Sequence, residues 1–140
     1  MLIHRKQIHI EWGDCDPAGI VYFPRYFEYF DACTHALFDY AGLPKQAMIK
    51  NYGIVGIPIV ETNSRFLIPS SFGDIVFVES SITAWGNSSF HVQHRLVRGE
   101  TLAVEGTETR VWTVRVPGED QRIESRPIPA EVKARFQDAV

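Results

Sequence analysis

From Ile8 to Trp12, apolar side chains alternate with His9 and Glu11, the period-two pattern of a strand with one buried face. The alternation starts within MLIHRKQIHIEW and ends at an Asp-, Pro- and Gly-rich turn, GDCDPAGIVYFP, residues 13–24. Pro24 suits the first position of a helix, where its missing N–H costs no hydrogen bond. Gly42 supplies a stop, so the pattern predicts a helix from about Pro24 to Ala41. Apolar residues from Tyr26 to Tyr40 cover most of its circumference, which marks a buried helix. Its single polar stripe is Glu28, Asp31, His35 and Asp39. PKQAMIKNYG, residues 44–53, predicts a short second helix. Strand patterns then follow at 57–68, 74–85, 89–97 and 101–116, with turns at Pro69–Gly73 and Arg98–Glu100. Pro129 to Val140 reads as a terminal amphipathic helix.

The predicted order is one strand, a long helix, then four strands. Strands of about ten residues exceed the usual ~5–6, and long antiparallel strands curve. A curved sheet has a concave face to fill, and one helix is long enough to fill it. The expected fold is therefore α+β: a hotdog fold, a long antiparallel five-stranded sheet wrapped around a central helix. At 140 residues, 45% hydrophobic and 22% charged, the chain is expected to form one domain over 1–140. A chain of this size buries enough surface to fold without a disulfide or a metal. Cys15 and Cys33 are too few for a disulfide framework. The net charge of -3 does not suit a nucleic-acid partner. No apolar run is long enough to cross a membrane, and the N-terminus lacks a signal peptide's apolar core, so the expected location is cytoplasmic.

GDCDPAGIVYFPRY at the start of the helix, GIVGIPIV at 53–60 and DIVFVESSITAWGNSSF at 74–90 carry a resemblance over nearly the whole chain. With them the sequence resembles the hotdog acyl-CoA thioesterases, in particular the 4-hydroxybenzoyl-CoA thioesterase family. The resemblance implies hydrolysis of an acyl-CoA thioester to free acid and CoA, with an aromatic acyl group of the 4-hydroxybenzoyl kind. It implies Asp16 as the catalytic carboxylate and Asp31 at the end of the pocket that receives the ring hydroxyl. Tyr22, Tyr26, Ile57 and Pro58 are expected to line that pocket. Coenzyme A is then part of the substrate, and no bound cofactor is implied. The expected partner is a second copy of the chain: a dimer at least, a tetramer by the resemblance, with the site between subunits.

The residues themselves bear on this chemistry. A helix start offers unpaired N–H groups and the positive end of a macrodipole. Such donors suit a thioester oxygen, on which negative charge develops. Pro24 has no N–H, which points to the backbone N–H of Phe23 and to residues after Pro24. Asp16, just upstream, is placed to attack the carbonyl or to act as base for water, and the residues leave both routes open. Asp14 is read as structural, holding the turn through bonds to backbone N–H groups. Two aspartates that merely make an Asx-type turn would fit the same spacing. Cys15, between two carboxylates, is a poor thiolate. The five histidines and two cysteines match no metal-ligand spacing, so no metal is expected. His91 and His94, three apart on a strand, face opposite sides.

Three positions depart from the family pattern. Phe23 stands where relatives carry Tyr or His, Ile57 where the aromatic branch can carry a hydroxyl, and WGNSSF, 85–90, lacks the arginines that can grip CoA phosphates. Arg122, Arg126 and Lys133 are the candidate substitutes. The alternatives are a benzoyl-, phenylacetyl- or short-chain acyl-CoA thioesterase, or a non-catalytic hotdog protein that binds acyl thioesters.

Overall fold

A computed structural model of the chain describes residues 1–137. Along it come β1 (Ile3–His9), α1 (Pro24–Tyr40), α2 (Lys45–Tyr52), β2 (Ile54–Gly56), β3 (Ile59–Phe66), β4 (Ile75–Trp85), β5 (Ser89–Arg98), β6 (Thr101–Val111), β7 (Thr113–Arg115), β8 (Ile123–Ser125) and α3 (Ala130–Ala134). Five of the strands make one antiparallel sheet in the order β1-β4-β5-β6-β3.

Alternation gives each strand an inner and an outer face. Val78 and Ser80 on β4, Val92, His94 and Leu96 on β5, and Val104, Gly106, Glu108 and Arg110 on β6 are buried. α1 lies on this inner face and buries Phe30, Cys33, Thr34 and Leu37. Full burial of a Phe or Leu side chain stabilises by roughly 1.5–3 kcal/mol, so these contacts decide where the helix sits. The outer face carries Arg5, Glu79, Arg95, Glu105 and Arg65 opposite one another on the five strands, alternating in sign. Glu79 and Arg95 pair at 3.1 Å, Glu105 and Arg65 at 3.2 Å. Exposed pairs contribute only about 0–1 kcal/mol each; their larger effect is to keep this face wet.

Gly106 marks the closest approach of helix and sheet. A Cβ there would stand 2.6 Å from Phe30 Cε2 and 2.8 Å from Ser64 Oγ. Gly106→Ala is therefore expected to destabilise by about 1–3 kcal/mol, the usual cost of overpacking. A shift of the denaturation midpoint to lower urea, at unchanged slope, measures it; an unchanged midpoint would mean that α1 moves aside freely.

Several expectations change. The first strand, expected over Ile8–Trp12, runs instead from Ile3 to His9, and Trp12 is exposed in a 3-10 turn. The strand predicted at 57–68 begins at Ile59, and the one predicted at 101–116 breaks at Trp112. β2, β7 and β8 instead form a separate three-stranded sheet, within which β2 and β7 pair next to the break. Trp112 is buried there in a second apolar cluster with Met48, Ile54, Ile57 and Phe90, and that burial turns the chain out of the main sheet. The long helix is not buried all round: Glu28, Asp31, Ala32, Asp39 and Tyr40 are exposed, because one sheet covers one side of it. α1 ends at Tyr40, with Ala41 as its cap and Gly42 in the left-handed region at φ 82°. The predicted terminal helix reduces to Ala130–Ala134, where Val132 is buried; its part beyond Gln137 lies outside the described residues.

Candidate active site

Residues 11–22 fold into two successive turns. Trp12–Asp14 form a single 3-10 turn. Asp14 Oδ2 accepts from the Glu11 N–H at 3.0 Å, and its carbonyl accepts from the Tyr22 N–H at 2.8 Å. Asp14 thus holds the turn, as its reading required. Asp16 opens the second turn, with Pro17 and Ala18 at the corner and the Gly19 N–H on the Asp16 carbonyl at 2.9 Å. Pro after Asp, and Gly at the fourth position, are the residues such a turn favours. Asp16 Oδ1 accepts from the Ala18 N–H at 2.8 Å, so the Asx turn is made. Oδ2 of Asp16 has no partner among the described residues.

The Cys15–Val21 bridge and the bond from the Asp16 N–H to the Ile20 carbonyl, 2.9 Å, fold Asp16 back beside the residues that lead into α1. Phe23 caps α1 with helical dihedrals, and Pro24 follows at the first position. The Arg25 N–H donates to the Tyr22 carbonyl at 2.8 Å and the Tyr26 N–H to the Phe23 carbonyl at 3.1 Å. The Phe23 N–H has no acceptor among the described residues. Phe23 follows in sequence, by seven residues, the Asp16 that opens the second turn.

Around that corner lies an apolar cleft of about 320 Å³ lined by Ile20, Val21, Phe23, Tyr26 and residues 66–69. Phe66 meets the rings of Phe23, Tyr26 and Phe27 at 5.5–6.4 Å. Tyr26 is buried, whereas Tyr22 is exposed and lies edge-on to Phe23. Cys15 donates its S–H to the Glu11 carbonyl. Burial pushes the Cys33 thiol up to about 12, so it stays protonated.

Asp31, Ile57 and Pro58 are gathered elsewhere, in a second cleft of about 340 Å³ that His35, Lys45 and Arg110 also line. Asp31 lies eight residues after Phe23, about 12 Å further along the helix. The site residues of one chain therefore fall into two places rather than one. Ile57 has a buried side chain, and its carbonyl accepts from Arg110 Nη1 at 2.9 Å. Arg110 Nη2 donates to Asp31 Oδ1 at 2.7 Å, and Nε to Glu108 Oε1 at 2.8 Å. His35 Nε2 stands 3.8 Å from the same Asp31 oxygen. Burial holds the His35 imidazole below its ordinary value, Asp31 pulls it up, and Arg110 and Lys45 push it further down.

Behind Arg110 the polar groups continue inward. Thr34 Oγ1 donates to Glu108 Oε1 at 2.6 Å, so its oxygen accepts from His94 Nε2, 3.1 Å away. Ser80 Oγ ends the chain of bonds at 2.7 Å from His94 Nδ1, and the imidazole stacks flat on Phe30. His94 is thus a satisfied core residue and His91 lies on the outer face, bonded to Thr109 at 3.0 Å. Among the described residues, no three His, Cys, Asp or Glu side chains are grouped to hold a metal ion, and no helix is long and apolar enough to cross a membrane.

The sequence matches the thioesterase-like superfamily over residues 10–136. This chain belongs to that family. It is 36% identical over 132 residues to the 4-hydroxybenzoyl-CoA thioesterase of Pseudomonas sp. strain CBS-3, a match covering 89% of this chain and 91% of that protein. Its fold is that of the 4-hydroxybenzoyl-CoA thioesterase solved as an aspartate-to-asparagine variant complexed with 4-hydroxybenzoyl-CoA: TM-score 0.89, 31% identity, 96% of this chain and 99% of that one. A gentisyl-coenzyme A thioesterase superposes with TM-score 0.80 at 31% identity, over 95% of this chain and 98% of the other. The five-stranded antiparallel sheet around α1 is thus a thioesterase-like hotdog fold.

For this superfamily member, Arg110 and Lys45 are the cleft residues that sequence reasoning missed. Glu108 and Arg110 share the inward face of β6 with Val104, and two charges in an apolar register were the available signal. The candidate phosphate-gripping residues are engaged: Arg122 with Glu119, Arg126 with Glu124, and Lys133 Nζ with the Gly86 carbonyl at 3.0 Å.

Proposed function

We propose that this protein hydrolyses an aromatic acyl-CoA of the 4-hydroxybenzoyl-CoA type to the free acid and CoA. The supporting observation is that Asp16 keeps one carboxylate oxygen unpartnered in the turn that leads toward α1, and that the Phe23 N–H at the start of that helix has no acceptor among the described residues. The Phe23 N–H, at the positive end of α1, is the donor for the thioester oxygen as it gains charge. Asp16 Oδ2 either attacks the carbonyl carbon, expelling CoA thiolate and leaving a mixed anhydride for water to open, or takes a proton from the attacking water. Neither route needs a resident metal or cofactor.

In this reading Tyr22, Phe23 and Tyr26 serve the reacting end, supported by Phe23 and Tyr26 lining the apolar cleft at the start of α1, and Ile57 and Pro58 wall the cleft that holds Asp31. Asp31 supplies an acceptor for a ring hydroxyl, in keeping with the hydroxylated acyl groups in its relatives' names. A hydrogen bond to a charged acceptor contributes roughly 1.5–3 kcal/mol. Asp31→Ala is therefore expected to lower kcat/KM for 4-hydroxybenzoyl-CoA about tenfold or more and for benzoyl-CoA much less. Thiol release over an acyl-CoA panel reads both. Equal, weak losses would remove the hydroxybenzoyl assignment and leave thioester hydrolysis standing.

The reading includes a homo-oligomer, a dimer at least and in its fuller form a tetramer, with the site between subunits. Its support is the separation of Asp16 from the Asp31 cleft and the open side of α1. β3 is also an outer strand of the sheet, with Ile59, Val60 and Phe66 exposed, and unpaired edges of this kind invite a second chain. Light scattering is expected to give at least a dimer, with activity lost on dissociation; a stable, active monomer contradicts it. Residues 1–140 act as one hotdog domain, and the two free cysteines suit a reducing, cytoplasmic location.

A further inference from the structure

We propose that Arg110 is a positioning residue for acyl-group choice: it holds Asp31 so that one carboxylate oxygen faces the acyl cleft as a fixed, charged acceptor. The inference rests on the substrate reading above and extends it to a residue far from the reacting carbonyl.

The geometry of Arg110 carries the argument. Its guanidinium has five N–H donors in a rigid plane. Three acceptors on three segments fix that plane: Glu108 on β6 at 2.8 Å, the Ile57 carbonyl at 2.9 Å and Asp31 on α1 at 2.7 Å. Arg110 is 2% exposed, so the bonds are shielded from water, while the Asp31 side chain is 54% exposed and has no other hydrogen bond among the described residues. An aspartate on an open helix face would sample several rotamers. Here Oδ1 is tied down and Oδ2 is left for a ligand. His35 cannot take over this role, because at 3.8 Å it is beyond hydrogen-bond range.

Arg110 is itself held from behind. Glu108 is bonded by Thr34 on α1 and approached by His94 on β5, which Ser80 on β4 orients. The anchor thus reaches into the folded core. A binding group supported in this way is pre-organised, and its support is felt in selectivity rather than in chemistry at the carbonyl.

The experiment compares kcat/KM for 4-hydroxybenzoyl-CoA and benzoyl-CoA in the wild type, Arg110→Met, Arg110→Lys, Asp31→Asn and the Asp31→Asn/Arg110→Met double variant. The expected result is that Arg110→Met lowers the preference for the hydroxylated ring about tenfold. Arg110→Lys should restore part of it. The double variant should discriminate no worse than Asp31→Asn alone, since both changes remove one interaction. If Arg110→Met lowers both substrates by the same factor, or if the two substitutions multiply in the ratio, Arg110 does not act through Asp31 and the proposal is overturned. If the wild type shows no preference for the hydroxyl, the substrate reading has failed and this inference falls with it, an outcome distinct from a preference that Arg110→Met leaves intact. Should Arg110→Met not fold, Glu108→Gln together with Arg110→Met removes the stranded charge and allows the same comparison.

Discussion

Asp16→Asn is expected to lower kcat by about 10²-fold or more on the best acyl-CoA substrate while leaving the fold intact. The asparagine Oδ1 can still accept from the Ala18 N–H, so the Asx turn that Asp16 closes at 2.8 Å survives the change. The Phe23 N–H and the helix dipole are untouched. What is lost is the negative charge on the free oxygen, and with it both a nucleophile and a base. The expected signature is therefore a fall in kcat with little change in KM, because the substitution removes no contact that binds CoA or the ring. Thiol release at saturating substrate gives the rate, and circular dichroism checks the turn and helix. Near-wild-type turnover would end the assignment of Asp16 and return both aspartates to a purely structural turn.

The largest expected effect on stability lies at Glu108. Replacing it with alanine is expected to cost about 3–5 kcal/mol, because Arg110 would remain buried without its carboxylate. Burial by itself pushes the Glu108 carboxyl up. Hydrogen bonds from His94 and Arg110, and their charges, outweigh that and hold it down at about 2 against an ordinary 4.5. A lowered folded-state pKa means that the unfolded chain binds the proton more readily, so acid favours unfolding. The stabilisation is complete above pH ~4.5 and is lost progressively as pH falls toward about 2. Glu108→Gln, which keeps the shape and drops the charge, should be less stable than the wild type at neutral pH. The gap should close as both are taken through that window. Denaturant unfolding at several pH values tests it; a gap independent of pH would show that the Glu108 charge is not what stabilises the inner network of bonds.

How much of this was legible along the chain differs from element to element. Pro24 and Gly42 bounded α1 to within a residue, because one lacks the N–H a helix interior needs and the other adopts φ 82° without strain. β4, β5 and β6 were legible for a similar reason: each is ten residues or more, long enough for period-two alternation to repeat. The turn at Asp16 was also local, since Asp-Pro-Ala-Gly carries its own hydrogen-bonding instructions. The helix, the long strands and the Asp16 turn thus follow from preferences of near neighbours in sequence.

The rest needed the folded molecule. The three-residue strands β2, β7 and β8 are too short to show a period, and burial of Trp112, not any local preference, takes the chain out of the main sheet. The open side of α1 was hidden because an apolar helix reads the same whether one sheet covers it or two surfaces do. Most telling is Asp31. By sequence it was one acidic residue in a polar helical stripe. Its partner Arg110 is 79 residues away, and Arg110's own support, Glu108, is held by Thr34 from 74 residues away. No periodicity or local propensity links such positions. The sequence by itself determined the helix, the long strands and the aspartate turn; only sheet closure over α1 decided that a buried arginine would meet a helix-surface aspartate, because a charge can be buried only where the fold brings its counter-charge to it.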